Sequence, residues 1–317
     1  GILLAGFCGL AMLFLWAARR AYLIRWIAGS MAGFALCITP YLALNLGLAG
    51  SILPNTADAK FVQHAPIREN VSYLERYWSM VLPIIVGGQV VLIPGAVWFV
   101  WRRGKSANTA TMAYLLPVIW FLALIALYAA RLPAPYQHGR YVIPAIPSLI
   151  VAGVVGTAML MQLGRRQAVG RVLTRTLALA AAVAFVYFGI AQGPTIYADD
   201  VAIIDQEMVD NATWIAANLG EEDLLAIHDI GAVGYFAPRE MVDIAGLVTP
   251  EVIDLIGDRE GLWAYIEAQQ ADYLMAFPDQ VPGGVTDDER LCPVHQSPGT
   301  ASQVAAGYKM TIYRIAW

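Results

Sequence analysis

Six stretches of this chain are long enough to cross a membrane as helices, and none of them contains a charged side chain. They occupy residues 1–18, 26–50, 79–101, 111–130, 141–163 and 176–198. A hydrocarbon core of roughly 30 Å is crossed by about 20 residues of apolar helix. The sequence therefore predicts a polytopic α-helical membrane protein, with about six spans in a transmembrane domain of residues 1–198.

The charges between these stretches predict which loops face the cytoplasm. Residues 1–198 carry 15 basic and three acidic side chains, and ten of the basic ones lie in three short breaks without any acid. These ten are Arg19, Arg20, Arg25, Arg102, Arg103, Lys105, Arg165, Arg166, Arg171 and Arg175. Because cytoplasmic loops are enriched in Lys and Arg, we expect a plasma (inner) membrane protein with loops 51–78 and 132–140 outside.

Residues 199–317 differ in composition and are predicted to form an extracytoplasmic α/β domain. They hold five basic and 21 acidic side chains, a net charge of −16. Such a surface repels phosphate backbones, which excludes a nucleic-acid-binding protein. Helical patterns at 205–219 and 259–270 alternate with strand-like runs at 223–228, 241–244, 272–277 and 308–316, and 278–306 is predicted as loop. This alternation predicts a small, mostly parallel sheet.

Polar side chains are rare inside the apolar stretches. Asn45 and Gln89 are the strongly polar candidates there. Secondary transporters usually keep an ionisable residue or a broken helix near the middle of the membrane. This pattern weakens the hypothesis of a transporter.

The acidic domain offers few signals of chemistry. It contains no glycine-rich phosphate loop and no CxxC pair, and its histidines are too scattered to predict a metal site. Asp229, Asp243 and Glu251 are candidate catalytic carboxylates, but a structural role is the commoner one for carboxylates in so acidic a domain.

The two short external loops hold most of the polar side chains of the first 198 residues. Loop 51–78 contains Lys60, His64 and Arg68, and loop 132–140 ends in His138 and Arg140. Two basic clusters at an outer membrane surface suit a lipid-linked phosphate, for which Arg offers a planar fork and Lys a point charge. The alternative is that these residues extend toward lipid headgroups, as basic side chains beside a membrane often do.

Three segments resemble a known family. LPNTADAK (53–60), HGRYVIPAIP (138–147) and DIGAVGYFAPREMVDIAGLVTPEV (229–252) occur in the order found in bacterial C-superfamily glycosyltransferases. These polytopic enzymes use polyprenyl-phosphate sugars and are related to protein O-mannosyltransferases and to aminoarabinose and arabinofuranosyl transferases. The resemblance covers nearly the whole chain, and it implies transfer of a sugar to an acceptor on the outer face of the membrane.

The resemblance also implies which residues bind the donor. The loop motif maps onto Pro54, Asn55 and Thr56. The donor phosphate maps onto Lys60 and Arg140, with His138, Tyr141, His64 and Arg68 as further candidates. The implied partners are the lipid bilayer and the lipid-linked sugar donor. No cofactor is certain, although a divalent metal is possible in this mechanism.

One part of the family pattern has no match. The family's catalytic base is an acidic residue of the first external loop, and Asp58, the nearest carboxylate here, does not occupy that position. The chain begins inside an apolar run, so we expect it to lack its natural N-terminus and to resemble the second half of such an enzyme. The catalytic residue is expected upstream of Gly1.

Two other functions stay open at this point. The protein could be a non-catalytic subunit of a larger complex, with membrane protein partners that dock on its acidic domain. A transporter or flippase for lipid-linked sugars is the third hypothesis. An acidic residue in an upstream external loop would favour the enzyme, and its absence would favour the subunit.

Overall fold

The computed structural model describes residues 20–52, 54–105, 114–165, 167–284, 287–302 and 307–317. The first predicted span, 1–18, and the start of the fourth, 111–113, lie outside these ranges. Contacts between Cα atoms divide the chain into two compact units. The first unit contains the residues up to Leu44 and His64–Gln192, and the second contains Asn45–Gln63 and Gly193–Trp317.

The first unit is built from helices. They are α1 (Arg20–Ala49, which ends in the second unit), α3 (Ala65–Asn70), α4 (Tyr73–Ile85), α5 (Ile93–Gly104), α6 (Leu116–Arg131), α7 (Ile146–Gly164) and α8 (Ala168–Tyr187). Short turns lie at Gly88–Leu92, Tyr136–Gly139 and Ile143–Ala145, and a π-helical turn lies at Phe188–Gln192. The helix α2 (Asn55–Gln63) belongs to the second unit.

Three helices in the described part of the chain are long and apolar enough to cross a membrane. They are Ile24–Leu48, Tyr136–Gly164 and Ala168–Asn218. The sequence placed apolar stretches at 26–50, 141–163 and 176–198, so the prediction of long apolar helices is confirmed there. The stretch 111–130 corresponds to the shorter α6, Leu116–Arg131.

The stretch 79–101, predicted as one span, is broken. Helix α4 and the following helical segment, Gly88–Gly104, meet at an angle of 97°. Pro83 lies inside α4, and two glycines follow its end. The side-chain amide of Gln89 donates a hydrogen bond to the carbonyl of Ile84, which occupies a backbone acceptor left free at the break. Gln89 is thus buried and has a structural role.

Glycines set the packing of α7 against α5. A Cβ atom added at Gly156 would collide with the carbonyl of Gly95, and one added at Gly95 would collide with the carbonyl of Gly153. A Cβ atom added at Gly153 would lie only 2.5 Å from the Cβ of Leu92. Small residues let helix backbones approach this closely. The two helices therefore pack backbone against backbone.

The described residues of the second unit form a five-stranded mixed sheet. Its strands are β1 (Leu225–Ile227), β2 (Met241–Asp243), β3 (Tyr273–Ala276), β4 (Leu291–Gln296) and β5 (Thr311–Ile315). Their order is β2-β1-β3-β5-β4, with β1 parallel to both β2 and β3 and with β5 antiparallel to β3 and β4. The sheet is small, as predicted, but it is less parallel than the sequence indicated.

Strand β4 lies in a region that the sequence predicted as loop. It is an edge strand, it contains Pro293, and its pairing with β5 shifts between Pro293 and His295. Proline is tolerated at the edge of a sheet, where one side of the backbone needs no partner. Most of its side chains are exposed. It therefore lacks the alternation of apolar residues by which strands are identified.

Helices cover both faces of the sheet. They are α10 (Asp210–Asn218), α11 (Ile230–Phe236) and α12 (Arg259–Ala268), whereas α9 (Gly193–Ile203) precedes them and has no buried residue. A π-helical turn lies at Ile204–Val209, and 3-10 turns lie at Pro250–Leu255, Pro278–Gln280 and Pro282–Gly284. Ala226 packs in one core with Trp263 of α12, whereas Leu225 and Ile227 pack in the other core with Ile215 of α10. Alternate residues of a strand point to opposite faces, which separates these two cores.

The second unit includes a helix from far earlier in the chain. Ala59 of α2 is only 1% exposed. Its helix packs against the 3-10 turn Pro250–Leu255, and the methyl group of Ala59 lies 3.6 Å from where a Cβ atom of Gly246 would be. The segment that carries the LPNTADAK motif is thus part of the packed domain.

Candidate phosphate-binding site

The turn before Arg140 has an unusual backbone. Gln137, His138 and Gly139 have φ values of 51°, 56° and 68°. Left-handed backbone is uncommon for residues other than glycine and costs free energy. At Gly139 a Cβ atom would meet the ring of Pro83 at 2.5 Å, so this position requires glycine. Such strained turns are found most often at functional sites.

Aromatic rings hold Arg140 in place. Its guanidinium carbon lies 4.9 Å from the ring centroid of Tyr141 and 5.9 Å from that of Tyr136. One of its nitrogens donates a hydrogen bond of 2.9 Å to the hydroxyl oxygen of Tyr141. Guanidinium groups stack favourably on aromatic rings and keep several N–H donors for an anion. Arg140 is exposed, so these donors can reach a ligand.

His64 joins the same cluster from the other loop. Its ring is buried, with 4% of its surface exposed, and it stacks on Tyr136 with the ring centroids 5.9 Å apart and the planes 22° apart. The structure therefore brings together His64, Arg140 and Tyr141 of the predicted site. Tyr136, which is not among the predicted residues, contacts all three of these side chains. The signal for it in the sequence is a tyrosine four residues before the Arg140–Tyr141 pair.

The other predicted residues of the first unit lie on the same loops. Arg68 is half-buried on α3. His138 is exposed within the left-handed turn. Both remain predicted donor-binding residues.

Lys60 belongs to the second unit. It lies on α2, is half-buried, and its ammonium group donates a hydrogen bond of 2.7 Å to the side-chain oxygen of Gln63. Asn55 is the first residue of this helix and Thr56 follows it, while Pro54 precedes it. Asp58 in the first turn favours the helix, because a negative charge stabilises a helix N-terminus. The loop motif is therefore helical from Asn55 onward.

The candidate carboxylate Asp243 has a structural role. It is fully buried at the end of β2, and its two oxygens accept hydrogen bonds from the backbone N–H groups of Ala245, Leu247 and Val248 at 2.5–2.9 Å. Its own N–H donates to the hydroxyl of Thr249. These contacts fix the loop after β2 and occupy the carboxylate.

Neither of the other carboxylate candidates is held in this way. Asp229 directly precedes α11 without capping it through its side chain, and Glu251 is exposed in the first turn of Pro250–Leu255. Among the described residues, no three His, Cys, Asp or Glu side chains are grouped so that they could hold a metal ion.

Comparison with known proteins gives one match. A family model described as "Domain of unknown function (DUF8728)" matches residues 197–313. No curated protein and no solved structure matches the chain. The C-terminal part of the chain is thus similar to a domain family whose function is unknown.

Proposed function

We propose that the protein is part of a membrane glycosyltransferase that moves a sugar from a polyprenyl-phosphate donor to an acceptor on the outer face of a plasma membrane. The observation that carries this proposal is the arrangement of Arg140, which follows a strained turn and is stacked on two tyrosines within a segment that resembles the family's RY motif. Arg140 is thereby oriented before any ligand binds. Preorganised cations stabilise an anion at little reorganisation cost.

In this mechanism the phosphate is the leaving group. As the bond to the anomeric carbon breaks, negative charge grows on the phosphate oxygens. A cation aimed at those oxygens binds the transition state more tightly than the ground state, which accelerates transfer. Arg140 and Lys60 supply this charge, while His64 and Tyr136 orient Arg140. The carboxylate that deprotonates the acceptor has no counterpart among the motif residues of this chain.

Binding of the carrier lipid phosphate tests the proposal without any step that needs a carboxylate to activate the acceptor. Undecaprenyl phosphate should bind to the protein in nanodiscs more tightly than the uncharged undecaprenol. Arg140→Ala and Lys60→Ala should each weaken binding of the phosphate by roughly ten- to a hundredfold, because a hydrogen bond to a charged group contributes about 1.5–3 kcal/mol. Arg140→Lys should restore binding only in part, since an ammonium group lacks the bidentate fork.

The matched control is Arg102→Ala. Arg102 is an exposed arginine in the last turn of α5, in a break that we assign to the cytoplasm. The Arg102→Ala variant should bind undecaprenyl phosphate as tightly as the wild type does. Equal binding of undecaprenol and undecaprenyl phosphate would rule out donor binding by these loops. A non-catalytic subunit of a membrane complex would then be the better hypothesis.

The proposal includes six spans, with the basic breaks in the cytoplasm and the second unit outside. The chain has a natural probe for this topology, because the thiol of Cys292 is exposed on β4. In intact cells, and with Cys8 and Cys37 replaced by alanine, Cys292 should react with a membrane-impermeant maleimide. In a Cys292→Ala background, a cysteine introduced by Lys105→Cys should react only after the cells are permeabilised. The opposite labelling pattern would refute the topology.

A further inference from the structure

The order of the strands creates a crevice in the second unit. From β1 the chain leads to β2 on one side, and β3 lies on the other side of β1. At such a switch point the two connections leave the sheet in opposite directions, and the carboxyl ends of the strands border an open space. Ligands of open α/β sheets bind in this crevice. Here it lies between the residues that follow β1 and those that follow β3.

A cleft of about 830 Å³ lies at this position. His228 after β1 and Pro278–Gly284 after β3 line it, together with Ile244 after β2. Gln63 of α2 and Tyr308 complete its polar lining. This volume is in the range of sites that hold small molecules, roughly 300–1,000 Å³. All of the lining residues belong to the second unit, so the cleft is a property of that unit alone.

His228 presents an unsatisfied polar atom. Its Nδ1 is shielded from solvent and has no hydrogen-bond partner among the described residues. Burial lowers the pKa of His228, and the charge of Lys60 lowers it further, while Asp229, Asp243 and Asp279 oppose this shift. The imidazole is therefore neutral at pH 7. A buried polar atom without a partner costs about 1–3 kcal/mol, so His228 is not placed here to satisfy its own hydrogen bonds.

The charges around the cleft disfavour an anionic ligand. Among the described residues that border the cleft there is no Lys or Arg, whereas Asp279 carries a negative charge. The surrounding residues 199–317 have a net charge of −16. An anionic ligand would be repelled there.

The polar groups of the cleft both donate and accept hydrogen bonds. Asp279 can only accept, the amide of Gln280 can do both, and the neutral His228 has one donor and one acceptor nitrogen. Gln280 is oriented by the backbone N–H of Phe277, which donates to its side-chain oxygen at 3.1 Å. A hydroxyl group also donates and accepts. A ligand with several neighbouring hydroxyls matches this lining better than a purely apolar or a charged one.

We propose that this cleft binds a neutral saccharide through His228 and Asp279. The site is distinct from the phosphate site of the proposed function and does not depend on it. Gln63, which borders the cleft, and Lys60, to which it is hydrogen-bonded, are on the same helix. A sugar in the cleft would therefore lie beside the segment that resembles the donor-binding motif.

The test uses the full chain in nanodiscs with three neutral probes, the methyl glycosides of mannose, galactose and arabinofuranose. Saturation-transfer NMR should detect binding of at least one of them. His228→Ala removes a hydrogen bond, and Asp279→Asn replaces a charged acceptor with a weaker neutral one, so each variant should weaken glycoside binding by roughly tenfold. The matched control is His295→Ala, since His295 stacks on Trp214 at 4.7 Å and does not line the cleft. It should bind the glycoside as the wild type does.

A second measurement does not depend on the folding of any variant. With 15N-labelled histidine, the glycoside should shift the imidazole signals of His228, one of four histidines in the chain, and leave those of His295 unchanged. Binding of oligosaccharides of increasing length shows whether the natural ligand is an acceptor glycan or the single sugar of a donor. An affinity that rises with length indicates an acceptor glycan, and a constant affinity indicates a single donor sugar. Failure of all three glycosides to bind, or their displacement by inorganic phosphate, would overturn the proposal, whatever the result for undecaprenyl phosphate.

Discussion

Asp243→Ala is expected to destabilise the second unit by at least about 4 kcal/mol. The carboxylate accepts three backbone hydrogen bonds in a fully buried position, and each hydrogen bond to a charged group contributes about 1.5–3 kcal/mol. The substitution leaves the N–H groups of Ala245, Leu247 and Val248 without this acceptor. Domains are stable by only about 5–15 kcal/mol, so the loss would be a large fraction of the stability of this unit.

Hydrogen exchange measures this effect in the full chain. The amides of β1 and β3 should lose most of their protection in Asp243→Ala, because exchange from central strands reports unfolding of the whole unit. Asp243→Asn should lie between the alanine variant and the wild type, since its amide retains one acceptor oxygen. Asp254→Ala is the matched control, because Asp254 is exposed. A loss of less than about 1 kcal/mol in Asp243→Ala would show that the loop does not depend on this carboxylate.

Gly156→Leu is expected to disrupt the first unit. The new side chain would start where the carbonyl of Gly95 lies, and its Cβ would be 3.0 Å from the Cβ of Phe99. Overpacking usually costs about 1–3 kcal/mol, and the cost should lie at the upper end or above it here, because a backbone carbonyl cannot move aside as a side chain can. Helices α5 and α7 would have to separate.

Thermal unfolding in detergent checks this prediction. The melting temperature of Gly156→Leu should fall clearly below that of the wild type, and cleavage by protease in loops of the first unit should become faster. Gly33→Leu is the matched control in another apolar helix, because no side chain of the described residues lies within 4 Å of a Cβ atom placed at Gly33. If both variants melted like the wild type, the close approach of the two helices would not contribute to stability.

The long apolar helices could be predicted from the sequence, but their interruptions could not. Ile24–Leu48 is within two residues of the predicted 26–50 at each end. Apolar composition determines this result, whereas the bend after α4 depends on Pro83, Gly88 and the hydrogen bond from Gln89, which composition does not reveal. Strand β4 was missed for a related reason. An exposed edge strand has no apolar face to form a pattern.

Several residues that lie together in the candidate site could be named from the sequence, but their geometry could not, and their role in donor binding stays a prediction. The resemblance pointed to Arg140 and Tyr141, which do contact each other. The left-handed turn at Gln137 and His138 could not be predicted, because neither glutamine nor histidine requires a left-handed backbone. The stack of His64 on Tyr136 joins residues far apart in sequence, and only the folded chain brings them together.

The membership of α2 in the second unit has a consequence for the order of folding. The ribosome delivers Asn45–Gln63 before the whole of His64–Gln192, and the partners of Ala59 at Gly246 and Pro250–Leu255 come later still. Contacts between such distant segments form slowly, since a long loop must close first. Helix α2 therefore has to wait, with Ala59 uncovered, until Gly246 and Pro250–Leu255 have been synthesised. Any chain that stops before Gly193 leaves this helix without its partner.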